Sequence, residues 1–459
     1  MGNYYALIPE IVFTVLLISY FILGLLIKNK YFTGFAPAVI ALFTMIFIHE
    51  INGTAFDGMF VADKFSQSLK FVFLANLFLC TIISLRYEKI RKDILYEYSL
   101  LMLLSTLAMM LIVSSRDFIM LFLSVEFMSL GVYLLSGFIL NDLKSNEASL
   151  KYYILGSLAS VFFLLGITII YAVTGTTTFN EVNEALRSSG NLSTFYLFLG
   201  VIGVITALAF KAGLAPFHQW SPDVYEGAPT TITAFMSIGP KAAAVGALAR
   251  VILESFSYSP ELWIVPLTFL SLLTMAVGNI LALRQRNIKR LLAYSSIAHA
   301  GYLMLAILPA SMEALNAINF YLIVYTFMNI GAFSIVLLLP KGEDIEAYSG
   351  VAFYQPIFAL FMLAFLFSLT GIPPFAGFIA KFQIFMHAIK SGYLLVALAG
   401  IIFSILSAFY YLKIGVKMFF IKPITQNAVY AIPWNLKLSV IVSFIFITVL
   451  GVFPFLLIN

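Results

Sequence analysis

Charge is what this sequence has least of. Of its 459 residues, 10% are charged, while 62% are hydrophobic and 16% aromatic, and the mean hydropathy is +1.02. Soluble globular chains carry roughly a quarter charged residues. So few charges cannot clothe a water-exposed surface, and the bilayer must be the solvent for most of the chain. Cysteine is nearly absent. Cys80 is the only one, which excludes intramolecular disulfides, CxxC redox motifs and cysteine-held iron–sulfur clusters. The four histidines, His49, His218, His299 and His387, fall in four different segments, so no pair on one helix could hold a metal or a haem. No two glycines stand as G-x-G and no Gly-Lys-Ser/Thr occurs, which removes the dinucleotide fingerprint and the P-loop. No metal, cofactor or nucleic-acid partner is therefore expected. The opening Met1-Gly2-Asn3-Tyr4-Tyr5 enters an apolar stretch without a basic leader, so no cleavable signal peptide is expected.

What is present is a succession of apolar runs long enough to span, roughly 17–25 residues each. They fall near 8–27, 34–50, 69–85, 98–114, 117–140, 152–174, 194–214, 229–253, 262–282, 288–308, 315–339, 356–389, 394–412 and 438–457. The expected fold is an all-α integral membrane protein of about 14 transmembrane helices. The run at 194–214 leads into Ala215-Pro216 and the overlong run at 356–389 contains Pro373-Pro374, so the seventh and twelfth helices are expected to be discontinuous. With the N-terminus outside, seventeen lysines and arginines gather on the cytoplasmic side, among them Lys28, Lys30, Arg86, Arg91, Lys92, Arg286, Lys341 and Lys413. Six remain on the other side, including Lys70, Arg116 and Arg250. This positive-inside bias puts both termini on the outer side and explains the net charge of +5. The longest polar loops, around 51–68 and 175–193, are too short for a soluble domain.

Three lysines, Lys211, Lys241 and Lys381, sit inside hydrophobic runs or at their breaks. Glu126 lies nine residues past Asp117, roughly 13 Å into its helix. Ionisable groups near the bilayer centre cost about 2.5–3.5 kcal/mol each on insertion scales. One reading is a set of structural ion pairs, which would leave two lysines without an acidic partner at similar depth, Glu10 being near one end. The other is a proton relay. Burial disfavours an ammonium and a nearby carboxylate restores it, so a lysine that gains and loses its glutamate can capture and release a proton. Each lysine has a helix breaker nearby: Pro216 after Lys211, Gly239-Pro240 before Lys241, and Thr370-Gly371-Ile372-Pro373-Pro374 before Lys381. A simple proline kink is the alternative for any one of them. Irregular backbone at membrane depth is tolerated where it is packed in protein or lines a wet cavity. The lysine precedes the proline at 211/216 and follows it at 374/381, as two five-helix units of inverted topology would arrange it. In the tenth segment, Ser295, His299 and Tyr302 share one face. His299 could pass protons, or simply bond a neighbouring helix.

The stretch Phe210-Lys211-Ala212-Gly213-Leu214-Ala215-Pro216-Phe217-His218, continuing to Trp220, Pro222, Asp223, Glu226 and Pro229, resembles the seventh-helix signature of the antiporter-like membrane subunits of respiratory complex I. Arg290-Leu291-Leu292-Ala293-Tyr294-Ser295 through His299 resembles the tenth, and Gly371 through Phe378 the twelfth. The resemblance spans at least 116–390, and within the family it favours the N-type branch, since the N and L types carry lysine where Lys381 stands. No lateral helix of the L type follows the fourteenth segment. The resemblance implies Glu126, Lys211, Lys241, Lys381 and His299 as a proton relay, with Lys151 as a lateral bridge between channels. It implies units at 1–97 (helices 1–3), 98–254 (first five-helix repeat), 255–420 (second repeat) and 421–459 (helix 14). It also implies a subunit of a proton-translocating NADH–quinone oxidoreductase in the inner, or plasma, membrane, without a redox centre of its own. Its partners would be antiporter-like neighbours, small membrane subunits and the lipid bilayer. A cation/proton antiporter subunit of the Mrp type, a membrane-bound hydrogenase subunit and a passive structural subunit are the alternatives.

Overall fold

A computed structural model describes residues 4–26, 30–48, 51–87, 89–90, 94–188, 194–423 and 432–457. Lys28, His49, Arg91 and Lys92 lie outside them. The order is α1 (Ile8–Leu26), α2 (Lys30–Ile46), a hairpin of β1 (Gly53–Ala55) and β2 (Phe60–Ala62), α3 (Lys64–Ser84), α4 (Leu95–Ser114) and α5 (Phe118–Ser136). Then come α6 (Leu143–Thr174), the short α7 (Phe179–Ser188), α8 (Thr194–Ala212), α9 (Trp220–Gly227), α10 (Thr230–Ser255) and α11 (Ile264–Ala282). The chain ends with α12 (Ile288–Ile307), α13 (Met312–Leu338), α14 (Val351–Tyr354), α15 (Pro356–Thr370), α16 (Ala376–Lys390), α17 (Leu394–Phe420) and α18 (Trp434–Val452).

Among the described residues eleven helices are long and apolar enough to cross a membrane, and α2 and α15 are shorter apolar helices. The chain is an all-α, multi-spanning membrane protein with one small antiparallel hairpin, Gly53 facing Ala62 and Ala55 facing Phe60. Polar residues between the apolar runs start the helices. Asp117 accepts from the amides of Ile119 (2.8 Å) and Met120 (2.9 Å), Asn287 from Lys289 (2.8 Å), and Asp63 forms a capping box with Ser66. Such caps satisfy amides that the helix itself leaves free. α12 is not among the eleven, because it carries lysine, arginine, serines and histidine. It is buried along nearly its whole length, so its neighbours, and not lipid, are its solvent.

Without a hydrophobic drive between helices in lipid, close packing of small residues does much of the joining. A Cβ on Gly166 of α6 would come 2.7 Å from the Gly200 carbonyl of α8, and one on Gly278 of α11 would come 2.4 Å from the Ala298 amide of α12. These two helix pairs are locked at backbone contact.

Two charges that the hydropathy pattern assigns to the outer loops are inside the protein. Lys70, on the seventh position of α3, is fully buried and lies 2.7 Å from Glu10 of α1. Arg250 of α10 is buried and grips Asp63 through two nitrogens (2.9 and 3.0 Å) and Glu254 through one (2.6 Å). Arg116 Nε joins from the turn between α4 and α5, 2.8 Å from Glu254. The hairpin and loops fold over these helix ends, which a count of apolar residues does not register.

This clasp has a pH signature. Burial alone would raise the Asp63 carboxyl, but the Arg250 guanidinium outweighs it and holds the pKa below the ordinary value. A depressed carboxylate contributes stability above its unfolded pKa, about 3.9, and loses it as pH falls through the lower folded value. The stability gap between wild type and Asp63→Asn is expected to be about 2 kcal/mol at neutral pH. It should begin to shrink near pH 4. Thermal unfolding of the detergent-solubilised protein across pH checks this, and a gap that grows on acidification would contradict it.

Candidate functional site

The last turn of α8 delivers Lys211 into the interior, where it is 2% exposed. Its ammonium donates to Ser129 Oγ at 2.7 Å and to the Tyr133 hydroxyl at 3.0 Å, and lies 3.8 Å from Glu126 Oε1. Glu126, Ser129 and Tyr133 stand at i, i+3 and i+7 on α5, one face of that helix. Glu126 therefore sits just beyond hydrogen-bonding reach of the lysine. It accepts a 2.5 Å bond from Ser160 of α6 instead. An ammonium held by two neutral hydroxyls beside a carboxylate can move about an ångström and become a contact pair. At 4 Å and an effective dielectric near 20 that attraction is about 4 kcal/mol before desolvation is counted.

Why Lys211 stands there follows from the local backbone. α8 stops at Gly213, whose φ of +75° favours glycine, and the chain then runs through a cis Ala215–Pro216 bond to α9. The break frees carbonyls. The Trp220 indole donates to the Phe210 carbonyl (3.0 Å), which also accepts the Gly213 amide (3.0 Å), and so staples α9 beneath α8. α15 stops in the same way at Gly371, with φ +90°. Here the freed Thr370 carbonyl is taken by Lys381 itself (2.9 Å), which also donates to Ser404 of α17 (2.9 Å). A Cβ on Gly371 would press on the Lys381 stem at 3.1 Å. Lys381 is 4% exposed. It borders an open recess of about 470 Å³ shared with Thr370, Gly371 and Ser404 and with the exposed side chains of Phe378, Phe382 and Ile405.

Between the two breaks lies α12. Lys241 of α10, 3% exposed, donates to the Ser296 carbonyl (2.6 Å) and to the Ser296 hydroxyl. Ser295 bonds the Tyr411 hydroxyl, which lies 3.4 Å from His299 Nε2, and His299 Nδ1 is 2.5 Å from the Tyr321 hydroxyl. Tyr302 completes the face. Its ring centre is 5.8 Å from that of His299, and Lys381 Nζ lies 4.9 Å over it. Polar groups thus run from Lys241 to Lys381 along α12. No direct hydrogen bond among the described residues joins this set to the Lys211 cluster.

Lys151 is placed elsewhere. It is a half-buried residue bonded to Asp223, in a network where Arg290 spans Asp223 (2.7 Å) and Glu226 (3.0 Å) and Lys144 holds Glu226 (3.0 Å). The carboxylates Asp223 and Glu226 escape a search for ionisable groups at membrane depth because they stand outside the apolar runs. The neutral partners Ser129, Tyr133, Ser160, Ser296, Tyr411 and Ser404 are equally inconspicuous, although the spacing of Ser129 and Tyr133 from Glu126 is a legible signal. Among the described residues no group of three His, Cys, Asp or Glu could hold a metal ion.

Known proteins resemble this chain along its whole length. The family description "NADH:quinone oxidoreductase/Mrp antiporter, TM" matches residues 115–407. NADH-quinone oxidoreductase subunit N 1 of Thermodesulfovibrio yellowstonii is 41% identical over 99% of this chain and 98% of its own length. A chain in the structure of respiratory complex I from Thermus thermophilus with bound Aureothin superposes with a TM-score of 0.85 at 31% identity, covering 98% of both chains. A chain of an Mrp complex from a Dietzia species, 22% identical over 99% of this chain and 96% of that one, has a TM-score of 0.85 and shares the fold alone. A family match across the segment that holds Glu126, Lys211, Lys241, His299 and Lys381, joined to full-length likeness, places the chain: it belongs to the NADH:quinone oxidoreductase/Mrp antiporter transmembrane family.

Proposed function

We propose that this chain is the N-type, proton-translocating membrane-arm subunit of an NADH–quinone oxidoreductase, working beside other membrane subunits in the inner membrane while quinone is reduced elsewhere in the assembly. The observation that carries it is the loosened Glu126–Lys211 pair, 3.8 Å apart, with the ammonium held by the Ser129 and Tyr133 hydroxyls in place of the carboxylate. Neutralising or withdrawing Glu126 removes support from the ammonium, which then releases its proton. Restoring the carboxylate recaptures one. Lys241, His299 and Lys381 pass protons along the α12 face, with Lys381 on the exit side, and Lys151 bridges laterally at the head of α6.

The proposed topology has fourteen transmembrane helices with both termini on the outer side. Residues 1–97 form helices 1–3, 98–254 and 255–420 two inverted five-helix repeats, and 421–459 helix 14. The seventh helix is α8 with α9, and the twelfth is α15 with α16. In support, Lys211 reaches α5 and Lys381 lies over Tyr302 of α12, the helices that correspond under such a repeat.

Glu126→Gln is expected to lower pumping-coupled quinone reductase activity about tenfold, since about a kcal/mol or more of the ion-pair support is lost. Glu126→Asp should be milder. Activity of the Gln variant equal to wild type, in membranes with matched subunit content, would refute the switch.

A further inference from the structure

A recess of about 1420 Å³ opens on the basic face of the molecule, away from the lysine relay. It is bordered by Arg86 and Lys89 beyond α3, Arg286 before α12, Lys341 and Glu343 after α13, and Lys413 on α17. Lys89 is engaged by Glu343 at 3.2 Å, which also lies 3.7 Å from Lys289. Glu346 is engaged by Lys417 at 2.6 Å. Arg86, Arg286, Lys341 and Lys413 make no ion pair among the described residues. Among the described residues, the one bordering carboxylate without a cation is Asp344, whose oxygen caps the Glu346 amide at 3.0 Å.

Retention of positive charge on one face explains scattered cations. It does not explain four unpaired ones around one recess with an apolar wall, supplied by Leu337, Leu338 and Leu436. The rim is also shaped. Lys341 is held at φ +54°, a conformation rare for lysine, and a Cβ on Gly342 would come 2.1 Å from the Val336 carbonyl. The recess meets α17, whose outer side exposes Phe409 and Val416, and α18, which exposes Leu438. Exposed apolar side chains of this kind offer acyl chains a surface to lie on.

We propose that this recess binds the phosphodiester head group of an anionic phospholipid, with its acyl chains laid along α17 and α18. Basic pockets between membrane helices on the cytoplasmic side suit such head groups, and each lysine or arginine near the surface contributes about 1 kcal/mol. The inference borrows from the proposed function only that the basic face is cytoplasmic.

The test uses the purified assembly in nanodiscs, with lipid retained after detergent washing measured by mass spectrometry. Phosphatidylglycerol should be retained in preference to phosphatidylcholine. Arg86→Gln, Arg286→Gln and Lys413→Gln, all exposed positions, should each weaken phosphatidylglycerol binding about fivefold, the equivalent of about 1 kcal/mol. Lys422→Gln, an exposed lysine outside the recess, should not. Equal retention of the two lipids, or an equal loss in Lys422→Gln, overturns the proposal. Displacement of phosphatidylglycerol by millimolar inorganic phosphate alone would make this a soluble-anion site and overturn it as well. Pumping that survives any of these results leaves the proposed function standing, and lost pumping with normal lipid retention counts against the proposed function only.

Discussion

Lys211→Ala is expected to lower proton translocation about a hundredfold, the scale of losing a positioned acid–base group, while the assembly still forms. The residue donates to Ser129 and Tyr133 and faces Glu126, and no other ammonium among the described residues reaches that carboxylate. With alanine the Ser129 hydroxyl keeps its bond to the Val125 carbonyl and the Tyr133 hydroxyl can turn to Ser129 or water, so the packing cost should be modest. Lys211→Arg would keep the charge without releasing a proton and should fail at pumping as well. The measurement is proton uptake in sealed vesicles, normalised to assembled complex. Pumping near the wild-type rate with intact assembly would remove Lys211 from the mechanism.

Glu10→Ala is expected to destabilise the protein by about 3–5 kcal/mol, because it strands a buried charge. Lys70 is fully buried and Glu10 is 4% exposed. The two lie 2.7 Å apart, yet neither finds a further hydrogen-bond partner. Such a pair is costly to break and cheap to replace whole. The double variant Glu10→Leu/Lys70→Met should therefore recover stability close to wild type, and it should pump normally. Thermal unfolding in detergent separates the outcomes. If the double variant were as unstable as the single one, the pair would be holding α1 to α3 by more than mutual neutralisation.

The breaks at Gly213–Pro216 and Gly371–Pro374 are legible in the sequence because proline and glycine act on their own backbone. What each break does with its freed carbonyls is not. At the first a tryptophan from α9 takes the Phe210 oxygen, and at the second Lys381 takes that of Thr370. Likewise the apolar length of α12 reads as a membrane span, but its burial inside the bundle depends on neighbours from α10, α11, α13 and α17.

Composition and pattern alone determined the membrane environment, the series of helices, the absence of cysteine-based or glycine-loop chemistry, and the few ionisable residues set among apolar ones. These are properties of a residue and its near neighbours along the chain. Tertiary structure alone decided the partners. Glu126 meets Lys211 and Ser160, Glu10 meets Lys70, and Asp63 meets Arg250. The Glu126–Lys211 and Asp63–Arg250 contacts span 85 and 187 positions of the chain, Glu126–Ser160 and Glu10–Lys70 span 34 and 60, and no local signal specifies which faces meet. Depth behaves in the same way. Lys70 and Arg250 stand near the ends of apolar runs, where the pattern places them at the surface, but the hairpin and loops close over them. Whether a charge at a helix end touches water is set by what packs against it.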